Sequence, residues 1–200
     1  MKSYKDNGQE IGFTCSARLQ EGGLIFSASI NEPGSGECII KFASQYSKAA
    51  HNYLASRGLA PMLRQCIQIS VDWTVVVMDR SECRLLSNMT LSKAQQEKVR
   101  SKVQYIVCML HEGGFVHGDI RDTNLLVDHG SLVSEDVKVH LIDFDWAGHL
   151  GEAKDPIGIN CKTVKRPEEV KGGELITKEH DYDMVLICSE SQTSPFRQLP

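Results

Sequence analysis

From residue 11 to residue 19, apolar and polar positions alternate. Ile11, Phe13, Cys15, Ala17 and Leu19 share one side, with small or polar residues between them. A period of two predicts a half-buried strand, and Gly22-Gly23 ends it. Residues 24–30 predict a second strand with Phe26, Ala28 and Ile30 on one face, and 37–42 a third. The turn-forming run Asn-Glu-Pro-Gly-Ser-Gly at 31–36 separates those two. Short turns between alternating segments predict an antiparallel meander. The period then changes. Tyr46, Ala50, Tyr53 and Leu54 lie close to one helical face, which predicts a helix capped by Ser44 and stopped at Gly58. Pro61 forbids its continuation. Residues 64–70 and 73–78 predict two more strands, the second being the apolar run Trp-Thr-Val-Val-Val-Met.

The second part of the chain reads differently. Val99, Val103, Ile106, Val107 and Leu110 recur at steps of three and four. That stripe predicts a long amphipathic helix, opened by Thr90 or Ser92 and ended by Gly113-Gly114. Short strands follow at 125–127 and 137–142, flanking an acidic loop at 128–136. Residues 149–180 have no clear period, residues 181–189 start a further helix, and the last eleven residues read as a frayed end.

Composition narrows the function classes. Of the 200 residues 41% are apolar, enough for a real core in one domain or two small lobes. The net charge of −4 gives no support for a nucleic-acid or anionic-membrane partner. The one basic cluster, Lys162, Lys165 and Arg166, is followed at once by Glu168 and Glu169 and reads as a solvated loop. The N-terminus holds no signal-peptide core, and no apolar run is long enough for a membrane span. Seven scattered cysteines without a C-x-x-C pair argue against a zinc cluster or a disulfide framework. Together these features predict an intracellular location, cytoplasmic with the nucleus left open.

The candidate chemistry sits at His117-Gly118-Asp119-Ile120-Arg121-Asp122-Thr123-Asn124, followed by Asp143-Phe144-Asp145 at the end of an apolar run. An Asp, an Asn five residues on and a later Asp are the groups that phosphoryl transfer needs. One carboxylate takes the proton of the attacking hydroxyl, while an amide oxygen and another carboxylate hold a hard cation on the triphosphate. The three-part spacing is far more specific than any one piece.

These segments resemble the catalytic and metal loops of the protein-kinase-like superfamily, written H-R-D-x-x-x-x-N and D-F-G. Gly118 in place of Arg is similar to the small-molecule branch, such as aminoglycoside and choline kinases. The chain also resembles a set of short fungal kinase-like proteins. The resemblance implies an α+β, two-lobe kinase-like domain over 11–189. Its small lobe of antiparallel strands plus one helix spans 11–80 and an abbreviated, mainly helical large lobe spans 81–189, with 1–10 and 190–200 as flexible tails. It implies Asp119 as catalytic base and Arg121 as a contact for the transferred phosphate, although Arg121 also reads as a surface partner of Asp122 or a Glu. It implies Asn124 and Asp143 as ligands of Mg²⁺. Lys41, at the end of Ile-Ile-Lys, would hold the ATP phosphates, Gly22 and Gly23 would cover them, and the backbone of Met78 and Asp79 would meet the adenine. Asp181 would brace the catalytic loop.

Three departures qualify that picture. The glycine loop has two glycines rather than three. No Asp or Glu lies between Glu37 and Asp72, so the usual Lys–Glu pair cannot form on the first helix; Ala49 or Ala50 would stand in the Glu position and leave Lys41 poorly placed. The helices that complete the large lobe, and with them the peptide platform, do not follow residue 189. Two functions are therefore expected to compete. One is transfer of the γ-phosphoryl group of ATP to a hydroxyl on a Ser/Thr protein or a small molecule. The other is a pseudokinase that binds nucleotide or protein without turnover.

Overall fold

A computed structural model describes residues 3–6, 9–20, 23–31, 36–158, 166 and 172–191. The first part is a six-stranded antiparallel sheet in the order β1-β2-β3-β4-β6-β5. Its strands are β1 (Ser3–Asp6), β2 (Gln9–Arg18), β3 (Ile25–Ile30), β4 (Glu37–Ala43), β5 (Leu63–Gln68) and β6 (Thr74–Asp79). β6 is an inner strand, and Val75, Val76, Val77 and Met78 are all buried, as a continuous apolar run predicts. One face of the sheet builds its own small core from Tyr4, Ile11, Phe13, Ala28, Cys38, Ile40, Val75 and Val77.

β1 corrects the expectation of a flexible tail over the first ten residues. Ser3 to Asp6 pairs with Gly12 to Gln9, and Tyr4 is buried with its ring stacked on Phe13 at 6.5 Å. A four-residue strand with one buried aromatic has too few apolar positions to show a period.

The first helix, α1 (Lys48–Ala55), starts later than the pattern suggests. Ser47, not Ser44, is the cap; its Oγ accepts from the Ala50 N–H at 3.4 Å, and its own N–H donates to the Phe144 carbonyl at 3.0 Å. Its inner residues Ala50, Leu54 and Ala55 join the core of the second part rather than that of the sheet.

The second part is organised by α2 (Lys93–Glu112), opened by a reciprocal capping box between Ser92 and Gln95. Its predicted stripe is buried throughout. It ends at Gly113, where an added Cβ would lie 2.6 Å from the Tyr53 ring of α1. Two short sheets follow: β7 (Arg84–Leu85), β9 (Leu125–Val127) and β10 (Val139–Leu141), in the order β10-β9-β7, and β8 (Phe115–Val116) paired with β11 (Gly148–His149). Asp128 caps a 3₁₀ turn over His129–Val133 inside the acidic loop. α3 (Lys178–Ser191) packs against α2. Its first turn is tied by Thr177, whose Oγ1 accepts from the His180 N–H at 3.2 Å. Among the described residues no helix is long and apolar enough to cross a membrane, and the six described cysteines are all free.

Candidate active site

The loop after β8 is shaped by Asp181 near the start of α3. Its carboxylate accepts from the backbone N–H groups of His117 (2.9 Å) and Gly118 (2.8 Å), and from His111 Nε2 (2.9 Å). Two successive N–H groups converge on one carboxylate because Gly118 has φ +78°, and a Cβ there would lie 2.5 Å from Ile176 Cδ1. Both facts select glycine at this position. His117 is fully buried and anchors the loop from below. Its Nε2 faces the Ile142 carbonyl at 3.2 Å and must donate, so Nδ1 accepts the Asp119 N–H at 3.2 Å.

Asp119 is 5% exposed and its carboxylate is fully engaged. Oδ2 accepts from Asn124 Nδ2 at 2.8 Å and lies 3.0 Å from Arg121 Nη2. Oδ1 accepts from Arg166 Nη2 at 2.7 Å. The Asn124 amide nitrogen also donates to the Asp119 carbonyl at 2.8 Å. With that NH₂ group turned into the loop, the amide oxygen of Asn124 is left as an oxygen donor for a cation. Arg121 thus faces Asp119.

Asp143 follows β10 and has φ +70°, the one non-glycine residue with positive φ among the described residues. Asp tolerates this region better than most residues, and strain of this kind collects at functional sites. Lys41, at the far end of β4 and 7% exposed, places Nζ 2.6 Å from Asp143 Oδ1 and 2.6 Å from Asp145 Oδ1. Burial works against the charged form of Lys41, yet Asp143 and Asp145 hold its pKa above the usual lysine range. Burial would likewise raise Asp143, but the Lys41 ammonium outweighs it and keeps that carboxyl below its ordinary value. Asp145 takes the remainder: burial and the charge of Asp143 push it up to about 7.

This triad corrects the expectation of a poorly placed Lys41. The partner absent from α1 is supplied from the Asp-Phe-Asp segment instead. The side of the α1 segment nearest the lysine carries Tyr46, whose ring centre is 5.9 Å from Lys41 Nζ, while Ala50 is buried in the core and Ala49 is exposed. Tyr46 and His51 fasten this segment to Phe144. The His51 ring stacks on Phe144 at 4.6 Å and 7°. Its Nε2 donates to the Pro61 carbonyl at 2.8 Å, and its Nδ1 accepts from the Tyr46 hydroxyl at 2.7 Å. Burial lowers the His51 pKa to about 4, so it is neutral at physiological pH, as that bonding requires.

Lys41→Met is expected to destabilise the fold by about 2 kcal/mol at pH 8 and by less at pH 5. Without the ammonium, burial and mutual repulsion raise both carboxyl pKa values above their unfolded values. A raised acid contributes stability at low pH that is lost as pH rises through its folded pKa. Thermal melts of parent and variant across pH 5–8 check this; a deficit that shrinks with rising pH would refute it.

The remaining predicted residues lie around this centre. Gly22 is outside the described residues. Gly23 follows β2, and its carbonyl accepts from Arg18 Nε at 2.9 Å. Met78 and Asp79 lie inside β6, paired with Ile39 and Cys38 of β4. The Asp79 N–H donates to the Met62 carbonyl at 2.9 Å, and its carboxylate takes Arg64 at 2.6 and 3.0 Å. Use of the Asp79 N–H by a purine would break its bond to Met62.

The sequence pattern missed Arg166. It is not part of a solvated loop: its side chain is 3% exposed, with Nη1 on the Gly118 carbonyl at 3.2 Å and its guanidinium 4.6 Å from the centre of the Trp146 ring. Neither period nor motif marks it, since its partner Asp119 lies 47 positions away in the sequence. Lys162, Lys165, Glu168 and Glu169 are outside the described residues.

No protein-family model and no curated protein matches the sequence. Solved structures do match the fold. The Cydia pomonella granulovirus kinase PK-1 superposes with a TM-score of 0.72 at 16% identity, over 91% of this chain and 68% of that one. Vaccinia related kinase 3 gives 0.70 at 14% identity, over 97% and 68%. The BubR1 kinase domain gives 0.68 at 12% identity, over 95% of this chain and 64% of that one. The chain therefore has a protein-kinase-like α+β fold and spans about two-thirds of the length of these kinases.

Proposed function

We propose that the protein is an ATP-dependent phosphotransferase acting on a hydroxyl acceptor, a Ser/Thr protein or else a small molecule. One observation carries the reading: on a kinase-like fold, Asp119 is bonded to Asn124, the Asn124 carbonyl accepts the N–H of Ile142, and the next residue, Asp143, holds Lys41 of the sheet. In the transfer, the acceptor oxygen bonds to the γ-phosphorus, the bond to the ADP oxygen breaks, and the hydroxyl proton goes to Asp119. Lys41 and Arg121 supply fixed positive charge for the phosphates.

The residues fit a magnesium ion. Asp143 and the Asn124 amide oxygen are hard oxygen donors. Two half-buried carboxylates share one ammonium, and burial and the charge of Asp143 raise the Asp145 carboxyl accordingly. A divalent cation there would neutralise phosphate charge. Among the described residues no cluster of three or more His, Cys, Asp or Glu could hold a metal ion, and phosphate oxygens and water would complete the shell around Asp143 and Asn124.

A second reading has its own support. Arg166 sits on Asp119, and both carboxylates of the Asp-Phe-Asp segment sit on Lys41. A pseudokinase that binds nucleotide without turnover is compatible with groups so engaged with one another. A thermal-shift titration with ATP, with and without Mg²⁺, tests the shared premise. The parent is expected to be stabilised by Mg²⁺–ATP, and Asp143→Asn to fold yet lose the Mg²⁺-dependent part. No shift in the parent, or an undiminished shift in Asp143→Asn, would remove the assignment. If the shift is present, γ-phosphate transfer to an acceptor panel separates enzyme from binder.

A further inference from the structure

Two guanidiniums stand on the candidate base, and each has an unmet donor. Arg166 and Arg121 approach Asp119 from opposite oxygens, at 2.7 Å on Oδ1 and 3.0 Å on Oδ2. The Nε groups of both are buried and have no hydrogen-bond partner among the described residues. A buried N–H without an acceptor is costly, and a planar guanidinium with free donors matches a carboxylate or phosphate. The local charge points the same way. Among the described residues, two fixed cations face the single carboxylate of Asp119. Asp155 also lies within electrostatic reach of Arg166, but burial raises its pKa and disfavours its charged form. Asp122 is the one other acid in the loop, adjacent to Arg121 in sequence.

Arg166 also stands in the way of the reaction. It occupies Oδ1, while Oδ2 is held by Asn124 and approached by Arg121. A hydroxyl that is to give its proton to Asp119 needs one of these positions. Displacing Arg166 without compensation would leave a buried guanidinium unpaired, which is strongly unfavourable. An acceptor that brings its own anion removes that cost: the anion takes the guanidinium and the hydroxyl takes Oδ1.

We infer that the acceptor carries a carboxylate or phosphate beside the hydroxyl to be phosphorylated, and that Arg166 reads that anion. The inference rests on the phosphotransferase reading for the word acceptor, but the anion site itself does not. Arg166 determines specificity here, and Asp119 remains the base.

Trp146 provides a readout that needs no turnover, because its ring lies under the Arg166 guanidinium. In a Trp73→Phe background it is the sole tryptophan. Four probes are titrated against its fluorescence: a blocked peptide with Ser flanked by Glu, its Gln counterpart, glycerate, and glycerol. The acidic member of at least one pair is expected to give a saturable change that its neutral counterpart does not. Which pair responds tells a peptide acceptor from a small one. Arg166→Gln is expected to weaken that binding about tenfold or more, with Arg166→Lys in between, because Lys keeps the charge and loses the fork. Equal binding of acidic and neutral probes, no response to either acid, or undiminished acid binding in folded Arg166→Gln would overturn the inference. Should Arg166→Gln fail to fold, the acid-against-neutral comparison in the parent still decides. Phosphoryl transfer is then measured with the same four probes. Acid binding without transfer would leave the anion site standing and defeat the phosphotransferase reading. Transfer that favours neutral acceptors, or that rises for all acceptors alike in Arg166→Gln, would defeat the inference and leave that reading intact.

Discussion

Asp119→Ala is expected to lose phosphoryl transfer by about 10²–10⁴-fold, the contribution of a positioned general base, while binding Mg²⁺–ATP nearly as well as the parent. The reason is the division of labour in the loop. Among the described residues the Asp119 carboxylate bonds to neither Lys41 nor Asp143; its partners are Asn124, Arg121 and Arg166. The proposed nucleotide side rests on Lys41 and Asp143, fixed by β4 and by the turn after β10. Removing the carboxylate therefore removes the proton acceptor and leaves the phosphate-binding groups in place. Asn124 keeps its bond to the Asp119 backbone carbonyl, so the loop retains one of its two internal ties. Asp119→Asn preserves the shape and is expected to show the same loss, which separates a missing base from a collapsed loop. The measurement is incorporation of γ-phosphate into an acceptor panel by parent and variants. Equal signals would assign the activity to a contaminant and favour the non-catalytic module.

The sequence made the centre of this site legible because its parts are local. His117 to Asn124 is one loop, and Asp143 to Asp145 closes one apolar run, so spacing alone suggests the chemistry proposed for them. The same holds for α2, whose five-residue stripe is a period that burial enforces, and for β6, whose apolar run marks an inner strand. What stayed hidden depends on contacts distant in sequence. Lys41 meets Asp143 across 102 positions, so the absence of a carboxylate from the first helix looked like a defect rather than a change of partner. Ser47 displaced Ser44 as a cap because its N–H has a partner in Phe144, which no local pattern contains. Arg166 looked like one charge in a mixed cluster. Its burial on Trp146 and Asp119 follows only from where the chain returns to the site.

Asp181→Ala is expected to cost about 3–5 kcal/mol of folding stability, among the larger effects of a single substitution. The carboxylate is fully buried, and its three partners come from two places: His111 from α2, and the successive N–H groups of His117 and Gly118 from the loop after β8. Truncation leaves two backbone donors and an imidazole donor buried without their acceptor, each with a desolvation penalty of about 1–3 kcal/mol. The backbone cannot turn to find new acceptors, because Gly118 is held at φ +78° against Ile176. For a chain of this size the loss corresponds to a melting-point drop of roughly 10 °C. Asp181→Asn keeps one acceptor oxygen but turns an NH₂ group toward a donor, so its loss should fall below that of Ala and well above zero. The loop carries Asp119, so turnover should fall more than Mg²⁺–ATP affinity in whatever fraction stays folded. Denaturant and thermal unfolding of parent, Asn and Ala variants measure the first effect, and nucleotide titration beside phosphate transfer measures the second. A drop below about 1 kcal/mol for Asp181→Ala, within the range of a surface substitution, would mean that α3 does not hold the loop.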